Sequence, residues 1–73
     1  MTEPLTERER QILILVARSK TNKEIAQELH ISIKTVETHM SHILGKLEAV
    51  NRTDAVMKAV DQGEIETEDI WVD

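Results

Sequence analysis

The residues best suited to chemistry lie on one side of a helix that the sequence predicts between Ser32 and Leu47. At about 3.6 residues per turn, polar residues in this stretch recur on the same outer face. The residues on that face or at its edges are Lys34, Thr35, Glu37, Thr38, Ser41, His42 and Gly45. Amine, hydroxyl, imidazole and carboxylate groups in such a row can donate to and accept from the edges of bases and phosphate oxygens. The pattern therefore favours polar recognition over covalent catalysis.

Two predicted helices and a tight corner position this row. Thr21 and Glu24 form a capping box at the start of a short helix that ends at Leu29, and Ser32 caps the longer helix after a break at residues 30–32. One side of the longer helix carries a helical apolar stripe of Val36, Met40, Ile43, Leu44 and Leu47. This arrangement is typical of a helix-turn-helix, whose second helix lies in the DNA major groove.

An ordinary helical hairpin with a solvated outer face would show the same periodicity. Residue spacing alone does not separate the two interpretations, so both stay open at this point.

The remaining pattern predicts an all-α domain of four helices. Thr6 and Glu9 form another capping box before a helix reaching Arg18, with Ile12, Leu13, Val16 and Leu15 inward and Ile14 near the outer face. Asn51 caps a fourth helix over residues 52–62 that stops at Gly63. In this helix the residues expected to pack inward are Ala55, Val56, Ala59 and Val60.

Length and composition bound the function. Seventy-three residues make one small domain, without cysteine for disulfides or thiolate metal sites. The longest apolar run is far short of the roughly 20 residues of a membrane helix, and there is no signal-peptide pattern, so we expect a cytoplasmic protein. The chain is either a natural short protein or a piece of a longer one.

The net charge of −5 is unevenly distributed. Residues 1–62 hold all nine basic residues and nine acidic ones, whereas residues 63–73 hold five acidic residues and no basic one. The acidic excess therefore belongs to the C-terminal tail, and the neutral body can still present a basic face to phosphate.

No enzyme or cofactor is predicted. The chain has no glycine-rich phosphate loop, catalytic triad or carboxylate pair with a credible cavity. His39 and His42 are three residues apart on a helix but lack a third ligand at suitable spacing, so no metal site is expected.

Several motifs in chain order resemble the LuxR-type helix-turn-helix, the GerE/FixJ/NarL class of bacterial transcription regulators. They are LTERER at Leu5–Arg10, NKEIA at Asn22–Ala26, ISIKTVETH at Ile31–His39, KL at Lys46–Leu47 and NRTDA at Asn51–Ala55. Residues 31–38 and 41–47 are most similar to regulators of the VraR/LiaR kind. The resemblance covers about residues 4–63, which makes it more specific than any one short motif.

This resemblance implies a four-helix domain that binds double-stranded DNA as a homodimer through its fourth helix. By residue, it implies base contacts from Lys34, Glu37, Thr38 and Ser41, phosphate contacts from Lys23, Thr35, His42 and Lys46, and a dimer interface of Thr53, Met57 and Val60. His39 would be a structural hydrogen-bonding residue at the edge of the core. A receiver domain and RNA polymerase are further partners of such regulators, and no membrane is involved.

Two residues depart from the family pattern. Glu37 stands where many relatives have lysine. It reads a cytosine amino group, discriminates against a wrong site by repulsion, or is a solvated charge near a helix N-terminus. Gly45 lies inside a helix where relatives often carry a basic residue, so either a backbone approaches closely there or phosphate binding is weaker.

Residues 1–63 are thus expected to form a sequence-specific DNA-binding domain, either a response-regulator output domain or a stand-alone regulator. Residues 64–73 form an acidic tail outside the motifs, in which Trp71 is expected to dock on the body or on a partner subunit, with the acid run competing with DNA for the basic face. The alternative function is a protein–protein interaction module, in which this tail and the recognition face bind a regulatory partner.

Overall fold

The computed structural model describes residues 3–71, which fold into helices without any strand in that range. The helices in chain order are α1 Glu7–Ala17, α2 Asn22–Leu29, α3 Ile33–Leu47, α4 Arg52–Asp61 and α5 Thr67–Ile70. The all-α class and the first four helices are as the sequence predicted. The short α5 is an addition that the sequence did not indicate.

Local side-chain caps explain where the four longer helices begin. Thr6 and Thr21 each accept from the backbone N–H three residues on, and the glutamate there accepts from the N-cap N–H in return. Ser32 caps α3 and Asn51 caps α4 in the same way, without the reciprocal bond. The predicted caps are confirmed.

Left-handed residues make the corners between helices. His30 has φ 58° between α2 and α3, and Glu48 has φ 55° after α3. Ser19 has φ 66° after α1, where a glycine would adopt this conformation without strain. These turns end each helix sharply, so that α2 and α3 meet in the predicted helix-turn-helix.

The core lies between α1, α3 and α4, with α2 packed against α3. The buried apolar residues are Ile12, Leu13, Leu15, Ile25, Ala26, Val36, Met40, Ile43, Leu47, Ala55, Ala59 and Ile65. Three valines that we placed inward are only half-buried, namely Val16, Val56 and Val60. Ile14 is half-buried against the core rather than on the outer face, because α1 has neighbours on more than one side.

The segment after Gly63 packs against α1. Ile65 is 1% exposed and completes the core, while the backbone N–H of Leu5 donates to Glu64 Oε2 at 3.0 Å. Arg10 Nη2 lies 3.1 Å from Asp69 Oδ2, and Arg18 Nε donates to the Asp69 carbonyl oxygen at 2.8 Å. The C-terminal segment is therefore held in place by burial, by hydrogen bonds and by the Arg10–Asp69 ion pair.

Trp71 does not dock on the body of its own chain as we expected, since it is 79% exposed. Its contact with a partner subunit stays a prediction. Within residues 3–71, no helix has the length and apolar character needed to cross a membrane.

Candidate nucleic-acid interface

The orientation of α3 is fixed by its buried stripe. Val36 and Ile43 are fully buried and Leu47 is 1% exposed, so the opposite side of the helix must face solvent. Ser32 Oγ accepts from the Thr35 N–H at 3.0 Å, which starts the helix immediately after the corner. The polar row is thus presented outward at the end of α3 that follows the helix-turn-helix corner.

The structure brings all four predicted base-contact residues together. Lys34, Glu37, Thr38 and Ser41 line one shallow hollow, and His42 lines it with them. All five are exposed. The Thr38 hydroxyl donates to the Lys34 carbonyl oxygen at 3.1 Å, whereas the other four side chains have no hydrogen bond or ion pair within the described residues 3–71. Their polar groups are available to an external ligand.

The predicted phosphate-contact residues are more scattered. Lys23 is exposed in the first turn of α2, where free backbone N–H groups add a positive field. The Thr35 hydroxyl lies 2.9 Å from the Ser32 hydroxyl at the start of α3. Lys46 lies near the far end of α3 and has a partner inside the protein. The phosphate role of each of these residues stays a prediction.

That partner is Glu9, which the sequence analysis treated only as a helix-capping residue. Lys46 Nζ lies 2.7 Å from Glu9 Oε1, and the two side chains are 20% and 5% exposed. The same carboxylate oxygen accepts from the Thr6 N–H at 2.9 Å. Burial acts to raise the pKa of Glu9, but the bonds from Lys46 and Thr6 outweigh it, so its pKa lies below the ordinary 4.5. This ion pair joins the first turn of α1 to the last turn of α3.

Ile33 was not assigned a role from the sequence. It is the first residue of α3, stands beside Lys34, and is 45% exposed. Glu37 follows one helical turn later on the same side of the helix. Ile33 stands three residues before Val36 and seven before Met40, so by spacing it continues the apolar stripe, and its exposure at the start of α3 could not be predicted from the sequence pattern.

The predicted dimer residues lie on the outward side of α4. Thr53 is exposed, Met57 is 66% exposed and Val60 is half-buried. Thr53 and Met57 border a hollow between α4 and the end of α1. Arg52 Nη1 donates to Asn22 Oδ1 at 2.9 Å, which ties the start of α4 to the start of α2.

Among residues 3–71, no three histidine, cysteine, aspartate or glutamate side chains are grouped so that they could hold a metal ion. His39 is half-buried and His42 is exposed on the recognition face.

The fold and this face together define a helix-turn-helix protein with an outward recognition helix. A family model for GerE, described as bacterial regulatory proteins of the luxR family, matches residues 3–59. The chain belongs to this LuxR family and is a helix-turn-helix domain of its DNA-binding, transcription-regulating class. The resemblance stated from the sequence is confirmed, and so is the fold that it implied.

Individual relatives agree with this assignment. The response regulator VraR of Staphylococcus aureus and that of Staphylococcus epidermidis are each 58% identical over 57 residues, which is 78% of this chain and 27% of the relative. The chain thus spans about a quarter of the length of these relatives.

Solved structures give the same answer. The transcription factor GerE superposes with a TM-score of 0.79 at 40% identity, covering 82% of this chain and 90% of GerE. The response regulator ChrA of a heme-sensing two-component system superposes with a TM-score of 0.83 at 38% identity. The match covers 89% of this chain and 32% of the ChrA chain. Vibrio cholera VqmA, solved with ligand and DNA, superposes with a TM-score of 0.76 at 34% identity. The match covers 88% of this chain and 28% of the VqmA chain.

Proposed function

We propose that this chain binds a specific double-stranded DNA site in the cytoplasm as part of a non-enzymatic transcription regulator. The observation that carries this proposal is the exposed face of α3, whose lysine, carboxylate, hydroxyl and imidazole groups converge with few partners of their own. In a helix-turn-helix, this is the surface that enters the major groove.

The base-reading roles follow from donor and acceptor chemistry. Lys34 can donate to O6 and N7 of a guanine, and the Glu37 carboxylate can accept from the N4 amino group of a cytosine. Thr38 and Ser41 have hydroxyl groups that both donate and accept, so they can adapt to either partner of a base pair. Glu37 also repels phosphates, which disfavours wrongly placed complexes.

Lys23, Thr35, His42 and Lys46 would then hold the DNA backbone. Lys23 joins the free N–H groups at the start of α2, an arrangement that favours a phosphate oxygen. A lysine ammonium has three donors, and Glu9 uses one of those of Lys46, so the remaining two can serve a phosphate.

We further propose a homodimer through α4, with Thr53, Met57 and Val60 at a two-fold axis. The support is the exposure of Met57, because a large apolar side chain in water is suited to burial against a second copy. Two-fold symmetry would place two inverted half-sites about one helical turn apart on the DNA.

The whole regulator would be either a two-component response regulator or a stand-alone protein. The naming of VraR and ChrA as response regulators supports the first, with a receiver domain and RNA polymerase as partners. The support for the second is GerE, 90% of whose solved chain is matched by this one.

Residues 64–73 would act as an accessory to the DNA-binding unit of residues 1–63 rather than as a competitor of DNA. Asp69 is already paired with Arg10, its carbonyl oxygen accepts from Arg18, and the Glu64 carboxylate accepts from the Leu5 N–H. Deleting residues 64–73 should therefore lower stability, and the affinity of the folded fraction for DNA at low salt should not rise.

A selection from randomised duplexes, followed by fluorescence anisotropy at several salt concentrations, tests the proposal. We expect an inverted-repeat site whose binding weakens steeply with salt, because phosphate contacts release counterions. Absence of binding even at low salt, together with a stable complex with another protein, would instead favour the interaction-module alternative.

A further inference from the structure

The apolar residues of α3 fall into two groups that differ in exposure. Val36, Met40, Ile43 and Leu47 are between 0% and 7% exposed, and Leu44 is half-buried. Ile33 is 45% exposed, although it belongs to the same helix and has the same size as Ile43. The fold therefore leaves much of the Ile33 side chain in water at the start of the recognition helix.

The position of Ile33 directs it toward a ligand of α3. It is the first residue of the helix, directly before Lys34 and one turn before Glu37. Side chains on a helix tilt toward its N-terminus, and the N-terminal residues of a recognition helix are those that reach base edges. A ligand contacted by Lys34 and Glu37 would therefore also lie within reach of Ile33.

The chemistry of the groove selects a partner for an apolar side chain. Base edges in the major groove present donors and acceptors, and their apolar group is the C5 methyl of thymine. We propose that Ile33 is a specificity residue that packs against a thymine methyl group, an inference that rests on the DNA-binding function proposed above.

The spacing on the helix locates this thymine relative to another base. Ile33 and Glu37 are one turn, or about 5.4 Å, apart along α3. Successive base pairs are about 3.4 Å apart along the DNA axis. The thymine read by Ile33 should therefore lie one or two base pairs from the cytosine read by Glu37.

A double substitution cycle on protein and DNA tests the contact. The selected site is prepared with each thymine replaced in turn by deoxyuridine, which removes the methyl group and keeps the base pairing. At one position per half-site, this change should weaken binding of the wild-type chain about fourfold, the equivalent of about 0.8 kcal/mol for one methyl group. The Ile33→Ala variant should bind the two duplexes equally.

Two further variants serve as controls. Val50→Ala shortens another exposed apolar side chain, 83% exposed and outside α3, and it should keep the fourfold preference for thymine. Ile33→Val keeps the branched Cβ and should retain part of the preference. Circular dichroism of each variant shows whether the helices are intact, and Ser32 still caps α3 in all of them.

The outcomes separate this proposal from the function on which it rests. A specific site without any thymine whose methyl group matters, or an equal loss for the wild type and Ile33→Ala, would overturn the role of Ile33 alone. Absence of any specific DNA site would overturn the proposed function and the role of Ile33 together.

Discussion

The two ends of α3 each carry a lysine, and the two lysines are in opposite situations. Lys34, in the first turn, is exposed, and within the described residues 3–71 its ammonium group has no partner. Lys46, in the last turn, is 20% exposed and bonded to a nearly buried carboxylate at 2.7 Å. The same residue type on the same helix is therefore open to a ligand at one end and part of the protein's framework at the other.

The difference matters because charges act differently inside and outside a protein. Removing one partner of a buried ion pair leaves the other charge without compensation, whereas removing an exposed charge costs little stability. Lys46 and Glu9 should therefore govern how α3 is held against α1, and Lys34 should govern what α3 binds.

The largest effect should come from breaking the Glu9–Lys46 ion pair, which holds the last turn of α3 against α1. Glu9→Ala leaves the ammonium group of Lys46 half-buried without a partner and removes half of the capping box of α1. We expect the free energy of unfolding to fall by about 3 kcal/mol. Urea unfolding followed by circular dichroism measures it, since Trp71 is exposed and poorly placed to report.

Glu24→Ala is the matched control. Glu24 closes the same kind of capping box on α2, but it is exposed and has no lysine bonded to it. Glu24→Ala should lower the free energy of unfolding clearly less than Glu9→Ala does. Equal losses for the two variants would show that the Glu9–Lys46 ion pair contributes nothing beyond helix capping.

The ligand-binding end should respond in affinity and not in stability. Lys34→Ala should weaken binding to the selected DNA site about tenfold, because a donor to a base edge is lost. Its free energy of unfolding should stay within about 0.5 kcal/mol of the wild type. Anisotropy titrations and urea unfolding of the same preparation give both numbers.

Lys58→Ala controls for the loss of one positive charge. Lys58 lies on α4 and is bonded to the Glu48 carbonyl oxygen and to Asp54, away from the hollow on α3. It should change specific affinity much less than Lys34→Ala. If the two variants lose affinity equally, Lys34 acts only through its charge and does not read a base.

Acid should lower the stability of the chain by protonating Glu9 in its ion pair with Lys46. Its pKa is lower in the folded chain than the ordinary 4.5 expected for the unfolded one. The stabilisation that it provides is therefore complete above that value and is lost as the pH falls through the folded pKa. Stability should be flat down to about pH 5 and then decline.

The Glu9→Gln variant should lose part of that decline, since it has no carboxyl group to protonate at this position. The decline of stability with falling pH that remains in this variant should reflect Glu24 and Asp54. Their pKa values are lowered by the backbone N–H groups of Thr21 and Val50. Urea midpoints of both chains between neutral and acid pH make the comparison. An unchanged slope in Glu9→Gln would contradict the assignment.

Glu9 and Glu24 also show how far the sequence could predict the structure. Both follow a threonine at three residues, and both capping boxes were predicted, because such a signal needs only its own turn of chain. Their surroundings differ because Lys46 reaches Glu9 from 37 residues away. No local pattern could indicate that pairing, so the sequence analysis gave Lys46 only a phosphate contact.

The outer face of α3 was predictable for a similar reason. Helical spacing fixes which residues oppose the stripe of Val36 and Met40, whatever the rest of the fold does. The structure of the C-terminal segment was not predictable, because α5 has four residues and too few turns to show a helical period. Ile65 lies within an acidic stretch, and its burial depends on the chain folding back onto the shared core.

Gly45 offers the smallest test, and it lies beside Lys46 in the last turn of α3. A Cβ added there would meet nothing within 4 Å, and the backbone is helical. Gly45→Ala should therefore stabilise the chain by about 1 kcal/mol, because alanine favours the helix more than glycine does. Affinity for the selected site should be unchanged, whereas a tenfold loss would show that the DNA backbone approaches α3 closely at this residue.

The same substitution at Gly63 is the matched control. A Cβ there also has open space, but φ is +77°, a conformation that disfavours residues with a Cβ. Gly63→Ala should therefore destabilise the chain by about 1 kcal/mol, the opposite sign for an identical change in side chain. If both variants shift the urea midpoint in the same direction, the conformation of the backbone is not what decides the effect at Gly45.

Gly45→Lys then completes the series, because a steeper salt dependence of DNA binding by about one unit of slope would place a phosphate beside this turn of α3.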